Sequence, residues 1–177
     1  MLRSSADQYG AVAVSIHWLT AILILIVLGS GFNAADAIDD ATKAQLLRVH
    51  IPAAIAVLVL TVLRIAWWLL FDAKPQPVRG MPLWQERLAR FVHLAFYIVI
   101  LGMVASGIGM MILSGAGPMI FGTPGADLPD FHDFPPRAPH GLAASLMVAL
   151  LFAHVGAALY HHFIRRDGLL WRMWYWG

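Results

Sequence analysis

Residues 139–163 read PHGLAASLMVALLFAHVGAALYHHF, and this stretch decides the fold. As an α-helix it is long enough to cross the hydrocarbon core of a bilayer, which takes about 20 apolar residues. It also carries His140 and His154, although an imidazole inside a membrane is costly without a partner. Further apolar runs of similar length lie near residues 12–32, 51–71 and 91–113. The sequence therefore predicts an all-α integral membrane protein, a single domain over residues 1–177 folded as a four-helix bundle.

The composition supports membrane integration. Of the 177 residues, 60% are hydrophobic and only 12% are charged, with a mean hydropathy of +0.72; a soluble domain is about one quarter charged. The first apolar run fills a full bilayer width and lacks a cleavage pattern after a short core, so we expect it to stay in the mature protein. Because the chain has no cysteine, disulfides, iron–sulfur clusters and covalently attached c-type haem are excluded.

The basic residues predict the orientation. The termini and the connection between the second and third runs carry Arg3, Lys74, Arg79, Arg87, Arg90, Arg165, Arg166 and Arg172. The other two connections carry only Lys43, Arg48 and Arg137, together with Asp36, Asp39, Asp40, Asp127, Asp130 and Asp133. By the positive-inside rule both termini are cytoplasmic and the outer face is modestly acidic. Topology and attraction to anionic lipid account for the net charge of +2, so no nucleic-acid partner is expected.

Four histidines inside the apolar runs form two pairs by depth. At about 1.5 Å of rise per residue, His140 and His154 lie about 21 Å apart on nearly the same face of one helix. His17 is level with His154, and His50 is level with His140. Two imidazoles can hold one haem iron, so the pattern predicts two b-type haems and transmembrane electron transfer. A lone intramembrane histidine ordinarily makes an interhelical hydrogen bond, and a zinc or copper site needs more ligands at one depth.

Three arginines are candidates for pairing with haem propionates. Arg64 lies fourteen residues after His50, at a depth where a charge needs a partner. Its alternative role is snorkelling to the lipid headgroups. Arg48 lies two residues before His50, and Arg137 lies three before His140. Both either contact the propionates of the outer haem or simply flank the ends of helices.

Basic and titratable groups gather on the predicted cytoplasmic side. Lys74, Arg79 and His161 suggest a quinone site there, since quinone reduction consumes protons. His161 and His162 are adjacent, so at most one of them points inward from a helix. Simple solvation is the ordinary alternative for interfacial histidines such as His93.

The segments between the runs predict surface elements. Residues 41–49 are typical of a short amphipathic helix on the outer surface that leads into the second span, and residues 83–90 of a segment at the inner interface. Residues 114–139 lack a periodic pattern and are expected to cap the outer end.

The third run contains small residues, which either permit close helix packing or leave room for a porphyrin face: Gly102, Ala105, Ser106, Gly107 and Gly109.

Several segments together resemble the bacterial cytochrome b561 family. They are residues 15–19 around His17, Val49 and His50 with Arg64 fourteen residues later, the runs that begin at His140 and His154, and the closing segment 166–173. The resemblance covers nearly the whole chain. It implies a four-helix bundle in the bacterial inner membrane with two b haems, ligated by His17, His50, His140 and His154. Electrons would pass between the periplasmic side and ubiquinone.

The resemblance also implies an activity, superoxide oxidase, in which superoxide arriving from outside is oxidised and ubiquinone is reduced. One feature departs from this expectation, because an acidic outer face does not attract an anion. A second hypothesis is therefore a haem relay subunit without enzymatic activity, which accepts electrons from a periplasmic redox partner, a dehydrogenase or a hydrogenase. A third is a structural bundle without haem.

Overall fold

The computed structural model describes residues 1–78, 80–122 and 127–175. Within these ranges the chain is helical and contains no strand. The helices are α1 (Ala11–Asp36), α2 (Asp40–Leu70), α3 (Leu83–Ser114), α4 (Gly117–Phe121) and α5 (Arg137–Tyr160), and α5 continues as a π-helical turn, His161–Arg165. All but α4 are long and apolar enough to cross a membrane. The prediction of an all-α membrane fold with four spanning helices is confirmed.

The chain packs as two compact units, and each spanning helix contributes to both. The first unit comprises Met1–Thr20, Leu60–Ile98 and Met147–Gly177. The second unit comprises Ala21–Val59 and Val99–Leu146. Each predicted histidine pair therefore falls within a single unit, His17 with His154 in the first and His50 with His140 in the second.

Two spanning helices begin earlier than the sequence predicts. Residues 41–49 form the first turns of α2 and lead into the second span as predicted, and residues 83–90 form the first turns of α3. At the start of α2 the Thr42 N–H donates to Asp39 Oδ1 at 2.8 Å, which caps the helix. Pro52 lies inside α2 just after the first of these segments, and the helix nevertheless continues through it and through the change from polar to apolar residues.

Polar contacts of Asp72 anchor the N-terminal segment in the first unit. Its carboxylate accepts hydrogen bonds from the Ser4 backbone N–H, at 3.1 Å, and from the Ser4 hydroxyl, at 2.8 Å. The Trp67 indole N–H donates to the same carboxylate at 3.1 Å. Burial raises the pKa of Asp72, but these hydrogen bonds outweigh burial and hold the pKa below its usual value. The segment before α1 is thereby tied to the end of α2.

The connection between α3 and α5 is partly helical. This connection contains α4, whose Ile120 side chain is completely buried, and a 3-10 turn at Phe131–Asp133. The guanidinium of Arg48 in α2 donates to the Ile120 carbonyl oxygen. The connection is thus held against α2 within the second unit; residues 123–126 lie outside the described residues.

Candidate functional site

His50 and His140 face each other in the second unit. Their ring centroids are 6.2 Å apart. Nδ1 of His50 lies 2.9 Å from the Val27 carbonyl oxygen, and Nδ1 of His140 lies 3.1 Å from that of Met103. A carbonyl oxygen only accepts, so the proton of each neutral ring is on Nδ1. Nε2 of each ring keeps the lone pair that binds a metal.

The two rings rest against the same short pattern on two different helices, His50 against α1 and His140 against α3. The pattern occupies residues 27–31 of α1 and residues 103–107 of α3, where the carbonyl comes first, a serine fourth and a glycine fifth. The Ser106 hydroxyl lies 3.0 Å from Nδ1 of its histidine, and the Ser30 hydroxyl lies 3.4 Å from Nδ1 of its own. Each imidazole N–H therefore has a backbone acceptor and a hydroxyl nearby, which fix its orientation.

The glycines of the two patterns differ in how closely the histidine approaches. A Cβ added at Gly31 would lie 2.8 Å from His50 Cε1, closer than side chains pack. A Cβ added at Gly107 would lie 3.5 Å from His140 Cε1, an ordinary contact. Sequence reasoning noted the small residues of the third run but missed Ser30 and Gly31. The sequence feature that could have identified them is the Ser-Gly pair, which occurs at residues 30–31 of α1 and again at residues 106–107 of α3.

His17 and His154 face each other in the first unit, in different surroundings. Their ring centroids are 6.1 Å apart. Arg64 lies beside them, with Nη1 3.2 Å from Nδ1 of His17. Its Nε is buried and has no hydrogen-bond partner among the described residues. A buried donor without an acceptor is costly, so this nitrogen marks a place where an anionic or polar group fits.

A third histidine, His93, belongs to the same cluster. Its ring centroid lies 5.5 Å from that of His154, edge to face. Its Nδ1 donates to the Ala89 carbonyl oxygen at 2.7 Å, so its Nε2 keeps a lone pair. The sequence predicted only an interfacial histidine here. Depth on α3 placed it at the interface, whereas the rotation of α3 about its axis turns it toward His154.

The predicted propionate partners of the second pair lie in the second unit. Arg48 is engaged with the backbone of the connection after α3, through the Ile120 carbonyl oxygen. Arg137 is the first residue of α5, three residues before His140. Their contacts with a cofactor stay a prediction.

The residues of the predicted quinone site are only partly described. The Lys74 ammonium lies 5.9 Å from the centre of the Trp68 ring, and Arg79 lies outside the described residues. His161 is buried, with 7% of its surface exposed, while its neighbour His162 is half-buried. Nδ1 of His161 pairs with the Asp167 carboxylate at 2.5 Å. His161 is therefore the more buried of the two adjacent histidines, and it faces Asp167 after the helix.

Four apolar spanning helices that bring intramembrane histidines together in pairs define a class, the helical membrane cytochromes. The model of the prokaryotic cytochrome b561 family matches residues 8–176. The chain therefore belongs to this family, whose members bind b-type haem and transfer electrons across membranes.

Individual relatives match over nearly their whole length. "Cytochrome b561 homolog 1" of Escherichia coli K12 is 26% identical, over 94% of this chain and 97% of that protein. "Probable superoxide oxidase CybB" of Yersinia pestis is 27% identical, over 94% of this chain and 95% of that protein. "Cytochrome b561 homolog 2" of E. coli K12 is 27% identical, over 96% of this chain and 93% of that protein.

Proposed function

We propose that the protein is a dihaem cytochrome, with one b haem between His17 and His154 and the other between His50 and His140. The spacing of the rings carries this proposal. Metal–imidazole bonds are about 2.0–2.1 Å, and a ring nitrogen lies about 1.1 Å from its ring centre, so two imidazoles on opposite sides of one iron have centroids about 6.2–6.4 Å apart. The observed separations of 6.1 and 6.2 Å fit this geometry.

The protonation of the rings also fits a haem. His50 and His140 already present Nε2, because their Nδ1–H groups donate to carbonyl oxygens. If His17 held a haem through Nε2, its ring proton would be on Nδ1, and the donor-only Arg64 would need another acceptor. A propionate carboxylate is a suitable one, and it also satisfies the buried Nε of Arg64.

The proposed reaction is superoxide oxidation coupled to ubiquinone reduction. Two superoxide anions each lose one electron to become dioxygen, and one ubiquinone takes up two electrons and two protons. When bound, the haems supply the one-electron chemistry of iron. The imidazoles of His17, His154, His50 and His140 would hold the haems, and haem held by paired imidazoles would favour electron transfer over oxygen binding. The relative from Y. pestis named as a probable superoxide oxidase supports this choice.

We further propose that the protein spans the bacterial inner membrane with cytoplasmic termini, so that superoxide reacts on the periplasmic side. The excess of basic residues in the termini and in the connection between α2 and α3 supports this orientation. Ubiquinone is then reduced on the cytoplasmic side, near Lys74, Arg79 and His161. Both cationic groups and a titratable imidazole suit a substrate that gains negative charge and then protons.

A second candidate function is a haem relay that accepts electrons from a basic periplasmic redox protein or from a dehydrogenase or hydrogenase partner. The acidity of the connections that carry Asp36 to Asp40 and Asp127 to Asp133 favours it. Arg48 is moreover occupied by the Ile120 carbonyl oxygen. An acidic surface attracts a basic protein and repels an anion.

The test begins with haem quantitation and a reduced-minus-oxidised spectrum of the purified protein. A superoxide source and a soluble ubiquinone analogue are then added, with and without superoxide dismutase. We expect two b haems per chain and one quinol for every two superoxide anions, with activity abolished by the dismutase. Two haems that superoxide does not reduce would favour the relay. No haem would overturn both candidates.

A further inference from the structure

The end of α5 holds a buried imidazole–carboxylate pair that the haem sites do not use. After the π-helical turn His161–Arg165, the chain reverses at Arg166, whose φ is 51°, and at Gly168, whose φ is 77°. This reversal brings Asp167 back onto His161, with Nδ1 and Oδ2 2.5 Å apart. The side chains are only 9% and 12% exposed.

The surroundings of Asp167 keep its carboxylate charged. The Leu169 N–H donates to Oδ1 at 3.2 Å, and Nε of Arg165 lies 3.6 Å from Oδ2. Burial raises the pKa of Asp167, but the hydrogen bonds from His161 and Leu169 and the charge of Arg165 outweigh burial, and the pKa lies below its usual value. An ionised carboxylate only accepts, so the His161 proton sits on Nδ1.

Arg165 connects this pair to the segment between α2 and α3. Its guanidinium donates to the carbonyl oxygen of Gly80, in that segment, at 3.3 Å, and to Oε1 of Gln85, in the first turn of α3, at 3.0 Å. That segment also contains Lys74, part of the proposed quinone site. The pair therefore lies next to the chain segment where ubiquinone is proposed to bind.

We propose that Asp167 is a positioning residue, which holds His161 so that its Nε2 delivers a proton to a quinone oxygen. The inference rests on the proposed quinone reduction. When the quinone has received electrons, which come ultimately from superoxide, the Nε2–H bond of protonated His161 breaks and an O–H bond forms. Water from the cytoplasmic side then returns a proton to Nε2, while Nδ1–H stays with the carboxylate throughout.

The chain provides a matched control for this pair. Nδ1 of His132 lies 2.9 Å from Oδ1 of Asp130, the same type of contact, but the two side chains are 72% and 66% exposed. A pair in water exchanges protons freely and does not hold one tautomer. Substitutions there are expected to leave quinone reduction unchanged.

The test compares Asp167→Asn, Asp167→Glu and Asp130→Asn in haem-loaded protein. An amide can donate to Nδ1 and so favours the wrong tautomer. We expect Asp167→Asn to lower kcat for quinone reduction at least about tenfold with KM within about twofold, because a lost proton donor slows chemistry rather than binding. Haem content and the rate of haem reduction by superoxide are expected to stay unchanged, and Asp167→Glu to recover most of the activity. Wild-type kcat in Asp167→Asn overturns the inference.

A second measurement does not depend on activity. Nitrogen-15 NMR of histidine-labelled, reduced protein reports the tautomer of His161, whose signals are identified by their loss in His161→Gln. We expect Nδ1 to carry a proton in the wild type; a neutral ring with its proton only on Nε2 overturns the positioning role. If the wild type reduces no quinone, the proposed function fails and the proton-donor role fails with it, whereas the tautomer measurement still decides whether Asp167 orients His161.

Discussion

The two histidine pairs have nearly the same ring spacing but opposite electrostatic surroundings. His50 and His140 lie against carbonyl oxygens and hydroxyls. His17 and His154 lie beside a guanidinium and a third imidazole. A nearby positive charge stabilises the reduced form of a haem, so we expect the first-unit haem to have the higher midpoint potential. With the proposed orientation, electrons then move energetically downhill toward the quinone side.

The largest expected effect comes from removing one ligand of either pair. His50→Ala and His154→Ala are each expected to lower the haem content from two to one per chain, because one imidazole alone does not hold a b haem in a closed bis-histidine site. Pyridine haemochrome analysis with protein quantitation measures this. His132→Ala, in an exposed side chain, is the control and should retain both haems. An unchanged content in either ligand variant would show that the facing rings serve another purpose.

Glycine substitutions test whether the matching patterns of the second unit are equivalent. Gly31→Ala places a methyl group 2.8 Å from His50 Cε1, and overpacking of this kind costs about 1–3 kcal/mol. We expect a clear loss of haem from that site. The methyl group of Gly107→Ala makes only a 3.5 Å contact with His140, so this variant should retain its full haem content. Equal haem content in the two variants would mean that His50 moves aside without cost.

Neutralising Arg64 tests the electrostatic difference directly. Arg64→Gln is expected to lower the midpoint potential of one haem by tens of millivolts, where about 59 mV corresponds to a tenfold change for one electron. The other haem should keep its potential. A spectroelectrochemical titration resolves the two. Arg90→Gln, which removes an exposed arginine paired with Glu86 in the same unit, is the control. If both haems shift equally, the asymmetry does not come from Arg64.

The smallest expected effect comes from the hydroxyl beside His140. In Ser106→Ala, Nδ1 of His140 still donates to the Met103 carbonyl oxygen at 3.1 Å. The loss is therefore at most about 1 kcal/mol, the contribution of one neutral hydrogen bond. We expect full haem content and a small shift of the second-unit potential in the same titration. Loss of haem would instead show that the Ser106 hydroxyl, and not the Met103 carbonyl oxygen, orients the His140 ring.

The spanning helices and the two histidine pairs could be predicted with one physical argument. Hydropathy locates the helices, and a rise of about 1.5 Å per residue matches the depths of His17 with His154 and of His50 with His140. The structure brings both pairs together, and their role as haem ligands stays a proposal. The helix predicted at residues 41–49 leads into the second span without a break, and residues 83–90 likewise begin α3, since polarity changes along a helix without ending it.

What the sequence determined by itself is the number of spanning helices and the depth of each polar group, because both follow from length, hydropathy and the fixed rise of a helix. Only the tertiary structure decided which groups meet. Arg64 beside His17 and His93 beside His154 depend on the rotation of each helix about its axis. The Asp167–His161 pair depends on a chain reversal at Arg166. These arrangements arise from packing between segments distant in the chain, which no local pattern encodes.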